Sequence, residues 1–135
     1  MKDLKIYEVT VKSGESIKQV LTDYIVRMGW DSVYVTGAIG SVCECTFVTP
    51  VQDTLPLVTA PTPVHGAAEL VSLVGEVMKR ERMDPALAAV YKDKESPLFV
   101  HLHASAATAG GHMIGGGLSD GKAFRAVRIF MTPLD

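Results

Sequence analysis

Only one stretch of this 135-residue chain carries apolar residues at helical spacing; most of the remainder follows the two-residue alternation of strands. That stretch begins after Ser13-Gly14-Glu15-Ser16 and ends at Gly29, a residue suited to a C-terminal cap. The residues that share its apolar face are Ile17, Val20, Leu21, Tyr24, Ile25 and Met28. A single amphipathic helix must bury this face against a sheet, so the pattern predicts an α+β fold on mainly antiparallel sheet.

Gly- and Pro-rich breaks divide the rest of the chain into short β-type segments. A second, short helix is expected over 84–91, where Asp84 can cap and Pro85 takes the first helical position. Residues 50–66 contain four prolines and are expected to form a loop or edge crossing. The predicted strands are 4–11, 30–39 and 43–48 (joined at Gly40-Ser41), 67–78, 97–106, 112–118 and 123–132. The whole chain, 1–135, is predicted to be a single domain.

Composition excludes several classes of protein. A net charge of −2 argues against nucleic acid as a partner, and the densest basic stretch, 79–82, is interrupted by Glu81. No apolar run approaches the roughly 20 residues of a membrane span, and the first residues show no signal peptide, so we expect a cytoplasmic protein. Cys43 and Cys45 lack zinc-knuckle spacing; reduced packing residues are the favoured interpretation, with a soft-metal or redox role as the alternative.

Three of the four histidines lie in residues 100–121, VHLHASAATAGGHMIGGGLSDG. His101 and His103 share one face of a strand, about 7 Å apart along it, and two imidazoles at that spacing can bind one divalent ion if other groups complete the shell. The candidates for completion are Glu69, His65, His112, water or a substrate. The alternative is a pair of hydrogen-bonded histidines at a subunit interface.

The run Gly115-Gly116-Gly117 is not a phosphate loop, because neither a Lys-Ser/Thr pair nor a helix follows it. Close backbone approach across a hairpin or at an oligomer axis explains it better. Arg125 and Arg128 are three positions apart and so lie on opposite faces of a strand. One of them could pair with Glu69 or bind a ligand carboxylate; the alternative is a surface or interface ion pair.

The order of these motifs resembles the PPC domain family, the domain conserved between plants and prokaryotes. The resemblance rests on SGES before the helix, VTGAIGSV, AAELVSLVGEV, PLFVHLHASAATAGGHMIGGGLSDG and AFRAVRIFM, and it covers nearly the whole chain. It implies an antiparallel α+β homotrimer, a histidine metal site in some prokaryotic members, and DNA binding by analogy with plant members that carry an AT-hook. Glu69 matches the acid that begins the family's E-x-x-S-L-x-G, which makes His101, His103 and Glu69 the implied ligands of zinc or another divalent metal.

Three departures from the family pattern affect this expectation. The family's third histidine falls on Gly117, which would leave an open cavity beside His101. His112 lies five positions before Gly117, and this odd spacing places the two residues on opposite faces of a regular strand. His112 could therefore replace the missing ligand only through a bulge. The segment 79–96, between LVGEV and PLFVHLH, is longer than the family resemblance predicts. Arg128 occupies a position at which many members carry an acidic residue.

The sequence therefore predicts a small homotrimer that binds a small molecule, with or without a divalent metal, in a histidine-lined cleft near the subunit boundary. Gly115, Gly116, Gly117 and Arg128 are the predicted ligand-binding residues. The sequence leaves open whether the protein is an enzyme; if it is, a metal-assisted or histidine-mediated lyase or hydrolase step on a small polar substrate is the expected chemistry. A DNA-associated regulator and a scaffold with purely structural histidines are the alternatives. No membrane partner is expected.

Overall fold

A computed structural model describes residues 3–88, 91 and 93–135, and antiparallel strands form most of it. In chain order the elements are β1 (Tyr7–Lys12), α1 (Ile17–Met28), β2 (Ser32–Pro50), β3 (Thr59–Val64), β4 (Ala68–Lys79), β5 (Leu98–Ala107) and β6 (Met113–Pro133). Single 3₁₀ turns lie at Arg80–Arg82, Pro85–Leu87 and Ala109–Gly111. The α+β class and the mainly antiparallel sheet are confirmed.

The predicted helix and its C-terminal cap at Gly29 are confirmed, and the structure identifies Ser16 as the N-cap. The Ser16 hydroxyl accepts a hydrogen bond from the Gln19 N–H at 3.1 Å. At the other end Gly29 adopts a φ of 74°, and its N–H donates to the carbonyls of Ile25 and Val26. The buried face of α1 packs on β6 and β1 and closes the core there.

The strands are fewer and longer than predicted. β2 runs unbroken from 32 to 50: Gly40, with a φ of 148°, continues the strand beside a bulge in β6, where a junction between two strands was expected. The predicted strands 112–118 and 123–132 are likewise one element, β6. In the segment 50–66, expected to be a loop or an edge crossing, residues 59–64 form β3, which pairs with the end of β2 at the edge of the sheet, a position that tolerates prolines.

The predicted short helix over 84–91 is corrected as well. Asp84 caps as expected, accepting from the Ala86 N–H at 2.9 Å, but only the 3₁₀ turn Pro85–Leu87 follows it. Residues 89, 90 and 92 lie outside the described residues. In the described part of the chain, α1 is therefore the only α-helix, and no helix there is long and apolar enough to cross a bilayer.

Strands β2, β4, β5 and β6 pair in a closed cycle, with β1 added beside β6 and β3 beside β2. The side chains that point inward form one continuous apolar core with α1. Its largest fully buried members are Phe47, Phe99, Ile17, Leu21, Ile25, Leu73, Ile129 and Met131. Alternate residues of β4 and β5 point away from this core, and the two histidines lie on that outer face.

Candidate functional site

His101 and His103 lie side by side on the outer face of β5. Leu102, Ala104 and Ala106 of the same strand point inward and are buried, which leaves both imidazoles on the accessible side. The ring centroids are 5.1 Å apart, with an interplanar angle of 86°. The predicted same-face arrangement is therefore what the structure shows, and the rings approach more closely than the strand spacing alone requires.

Glu76 is the carboxylate that β4 brings to this pair. The register places Glu76 opposite His101 and Val74 opposite His103. Glu76 Oε1 lies 3.4 Å from His101 Nδ1, and both side chains are part-exposed, at 45% and 38% respectively. A carboxylate at Nδ1 orients the ring and leaves Nε2 available to a ligand.

Gly75 keeps β4 close to β5 beside this contact. A Cβ on Gly75 would fall 2.1 Å from the carbonyl oxygen of His101 and 2.9 Å from Cα of Leu102. Any larger residue would push the two strands apart. Glycine at this position therefore helps to bring Glu76 to His101.

Aromatic rings close one end of the histidine pair. Phe99 shares the strand parity of His101, yet it is 2% exposed, because Tyr91 packs edge-on against it with ring centroids 4.7 Å apart. The Phe99 and His101 rings are 5.5 Å apart. The Tyr91 hydroxyl accepts the N–H of Val100 at 3.2 Å. The long connection between β4 and β5 thus supplies a wall beside His101.

An ion pair attaches that connection to α1. Lys18 Nζ contacts the Asp93 carboxylate, which also accepts the N–H groups of Glu95 and Ser96 at 3.1 Å. The hydrogen bond from Lys18 lowers the pKa of Asp93 to about 2. Arg80 donates to the Ser96 carbonyl and lies over the Tyr91 ring. These contacts hold Tyr91 over Phe99.

Glu69 does not join the histidines. It lies opposite Ala107 on β5 and Ser41 on β2, four β5 positions beyond His103, or about 13 Å along the strand. It lines an open depression with Arg125 instead. The sequence could not distinguish Glu69 from Glu76, since both lie on β4 and only the β4–β5 register separates them.

The other two candidate histidines also lie elsewhere. His65 follows β3, is 80% exposed, and has Nδ1 3.0 Å from Glu44 Oε2. His112 is in the β5–β6 hairpin, where its carbonyl accepts the N–H and the hydroxyl of Thr108. The bulge that would bring His112 to position 117 is absent, because Met113 to Gly117 pair with β5 in unbroken register.

The three glycines of β6 differ in the space around them. Gly117 lies opposite His103, and a Cβ there would meet only ordinary contacts, the nearest being Val48 O at 3.4 Å. A Cβ on Gly115 would fall 2.7 Å from Ala104 O, and Gly116 has a φ of 146° with Thr49 Cγ2 at 2.7 Å. Close strand approach, as expected, explains 115 and 116. Position 117 alone has room for a side chain beside the histidines.

Arg128 lies away from the glycines with which it was grouped. Its Nε is 3.3 Å from Glu8 Oε1, and its guanidinium lies over the Phe130 ring. Eleven positions of β6 separate it from Gly117, roughly 36 Å along the strand. The structure thus gives Arg128 an ion pair with β1 and no place beside His101.

The cysteines are unpaired thiols in β2. Cys45 is buried, and burial, together with the nearby Cys43, raises the pKa of its thiol to about 11. A thiol with that pKa is protonated at neutral pH and is a poor metal ligand or nucleophile. Packing is the role that this environment supports for Cys45.

The fit of the site to a metal ion is partial. Two imidazoles lie together, but the third position that the family resemblance implies is Gly117, and the Glu76 carboxylate is engaged with His101 Nδ1. Among the residues that the structure describes, no group of three or more His, Cys, Asp or Glu side chains is placed to hold a metal. One chain therefore does not provide the three or four protein ligands of a resident zinc ion.

The fold and the motifs together define a family. The family model of the Plants and Prokaryotes Conserved (PCC, also written PPC) domain matches residues 1–135, and the chain belongs to this family. No protein of curated function matches it.

Solved structures share the fold. A PPC protein from Pyrococcus horikoshii has a TM-score of 0.75 at 24% identity, covering 100% of this chain and 82% of that one. A metal-containing protein from Archaeoglobus fulgidus has a TM-score of 0.71 at 22% identity, covering 98% and 85%. A candidate DNA-binding protein from Bacteroides thetaiotaomicron has a TM-score of 0.72 at 16% identity, covering 100% and 82%. At these identities the likeness concerns the fold alone.

Proposed function

We propose that this PPC-domain protein binds a small polar molecule on the histidine face, defined here as His101, His103, Glu76 and the open position at Gly117. The observation that carries the proposal is the His101–Glu76 contact of 3.4 Å beside a second imidazole on an accessible surface. Gly117 leaves space opposite His103, and Tyr91 with Phe99 encloses the other end. Two imidazoles and a carboxylate in one place favour a ligand with hydrogen-bonding or anionic groups.

The chemistry of this face is general acid–base. The Glu76 carboxylate lies at Nδ1 of His101 and orients the ring, so that Nε2 faces a bound molecule and can exchange a proton with it. His103 supplies a second donor or acceptor 5.1 Å away, centroid to centroid. A lyase or hydrolase step needs such a proton transfer, and this is the reaction class that we propose if the bound molecule is a substrate.

A divalent metal forms part of the proposal only as an ion whose ligands come partly from this chain and partly from outside it. The two imidazoles are suitable zinc ligands, and the remaining positions of the shell would come from the bound molecule, from water or from another copy of the chain. The metal-containing structural relative from Archaeoglobus fulgidus is consistent with this. The chain's own residues act without it as described above.

We further propose that the protein assembles as a homotrimer. Val71 and Val74, on the same outer strand face as the histidines, are 59% and 39% exposed. Exposed apolar side chains that lie together on one face mark contact surfaces. The histidine face would then lie at or near the subunit boundary. The free thiols of Cys43 and Cys45 are in keeping with the cytoplasmic location that we propose.

Ligand binding is testable by NMR of the histidine rings. A panel of phosphate, malonate, malate and glycolate should include at least one compound that shifts the ring signals of His101 and His103 in a saturable manner. His101→Ala should abolish this response, whereas His65→Ala should preserve it, since His65 is 80% exposed and lies outside the face. A panel without any saturable shift, or a response retained in His101→Ala, would contradict the proposal.

DNA binding is the second candidate, because two structural relatives are candidate DNA-binding proteins, from Bacteroides thetaiotaomicron and Ralstonia eutropha. The pairing of the basic side chains with a carboxylate argues against DNA binding. Lys79 and Arg82, in the densest basic stretch, both contact Asp31, at 2.8 and 3.7 Å. Fluorescence anisotropy with a 20-base-pair duplex in low salt should show weak binding at most. Tight, salt-sensitive binding would reverse the ranking.

A further inference from the structure

The structure assigns a second ligand site, separate from the histidine face, to the depression between β4, β2 and β6. We infer that it binds a small aliphatic zwitterion, whose carboxylate contacts Arg125 and whose ammonium contacts Glu69. The depression has a volume of about 380 Å³ and is lined by Gly40, Ser41, Glu69, Arg125 and Ala126. This is enough space for a molecule of several heavy atoms.

A wide bulge in β6 forms the depression. Gly40 pairs with Val127 and Val42 with Ala123, so the single residue Ser41 on β2 faces three residues, 124–126, on β6. The Ser41 hydroxyl accepts the Arg125 N–H at 3.4 Å and so takes the place of a ladder hydrogen bond. Bulges of this kind redirect side chains and occur preferentially beside functional sites.

Close backbone contact makes one wall of the depression rigid. A Cβ on Gly40 would lie 2.1 Å from Ala126 O, and the φ of 148° at Gly40 also favours glycine. The bulge is therefore held against β2 by backbone packing. Glu69 is held on the other side by its pairing with Ser41 and Ala107.

Two residues with charged side chains, Glu69 and Arg125, line this space, and the described residues provide no partner for either charge. Neither the Glu69 carboxylate nor the Arg125 guanidinium makes a hydrogen bond or an ion pair with any side chain in the described residues, and the two groups are more than 4.0 Å apart. Arg128, three positions after Arg125 on β6, differs in having a partner: its Nε lies 3.3 Å from Glu8 Oε1. A ligand with both charges can satisfy both groups at once, whereas an ion of either sign leaves one of them unpaired.

The test compares 4-aminobutanoate with butanoate and butylamine by NMR titration of the Arg125 and Glu69 signals at low salt. We expect 4-aminobutanoate to bind about tenfold more tightly than either singly charged analogue, a difference of about 1.4 kcal/mol. Arg125→Gln should remove the advantage over butylamine, and Glu69→Gln the advantage over butanoate.

Two controls separate this site from its surroundings. Arg128→Gln should leave the tenfold preference unchanged, because that arginine belongs to the ion pair with Glu8. His101→Ala should also leave it unchanged, so failure of the histidine face and failure of this site are distinguishable. Equal affinities for the three compounds would overturn the inference. A change in the mass of the assembly in Arg125→Gln or Glu69→Gln, with an unchanged affinity for 4-aminobutanoate, would assign these residues to a subunit contact and would overturn the inference as well.

Discussion

At the scale of single residues, the histidine face depends on which carboxylate and which glycine the strand register places next to the imidazoles. Glu76 lies opposite His101 and Gly117 opposite His103, whereas Glu69 is displaced to the bulge with Arg125. The chain therefore has two imidazoles, one engaged carboxylate and one position without a side chain on this face. That open position allows a gain-of-function test.

Gly117→His should increase the affinity for Zn²⁺ by about tenfold or more, because a third imidazole would then lie opposite His103. A Cβ at 117 meets nothing closer than 3.4 Å, so the strand can accept the substitution. Isothermal titration with Zn²⁺ measures the change. Gly37→His is a suitable control, since a Cβ on Gly37 meets nothing within 4 Å and Gly37 pairs with Phe130, outside the face. Unchanged affinity in Gly117→His would show that position 117 does not face the histidines.

At the scale of elements, glycine sets the distance between strands. Gly75→Ala should lower the free energy of unfolding by at least about 2 kcal/mol, because its Cβ would overlap the His101 carbonyl at 2.1 Å. Gly117→Ala, with ordinary contacts only, should cost less than about 1 kcal/mol. Urea denaturation of the two variants provides the comparison. Equal losses would contradict the close β4–β5 approach.

The contact between α1 and the β4–β5 connection should depend on pH. Lys18 depresses the pKa of Asp93 to about 2, so the ionised carboxylate stabilises the fold above the ordinary Asp pKa, and this stability is lost as pH falls through 3.8 towards 2. Asp93→Asn should therefore cost about 1 kcal/mol at pH 7, allowing for screening of a partly exposed pair, and almost nothing near pH 2. Asp23→Asn, on the exposed side of α1, is the control. A loss in Asp93→Asn that is the same at both pH values would rule out the ion pair.

Periodicity predicted element type better than element length. The helix and its caps were predictable because Ser16, the apolar spacing and Gly29 are local signals. The continuity of β2 and β6 was not predictable, since Gly40 has the sequence signature of a break between strands and its place beside a bulge in β6 depends on the pairing of the two strands. The same limit applies to the site: the shared face of His101 and His103 follows from parity, but Glu76 and the Glu69–Arg125 depression follow from registers between distant strands.

At the scale of the whole molecule, the exposed apolar side chains of the outer face suggest self-association. Sedimentation equilibrium at micromolar concentration should give three times the 14.5 kDa chain mass. Val74→Glu should shift the protein towards monomer, because Val74 lies opposite His103 in the face. Val26→Glu, on an exposed position of α1, should leave the mass unchanged. A monomeric wild-type protein would contradict the proposed trimer.

The central claim is that His101 and His103 form one binding face, and a Zn²⁺ titration of the tag-free protein followed through the four histidine rings tests it most directly. We predict that the His101 and His103 signals shift together and at lower Zn²⁺ concentration than those of His65 and His112, and that His101→Ala weakens the shift at His103. Independent shifts of His101 and His103, or shifts of His65 or His112 at lower Zn²⁺ concentration, would contradict it.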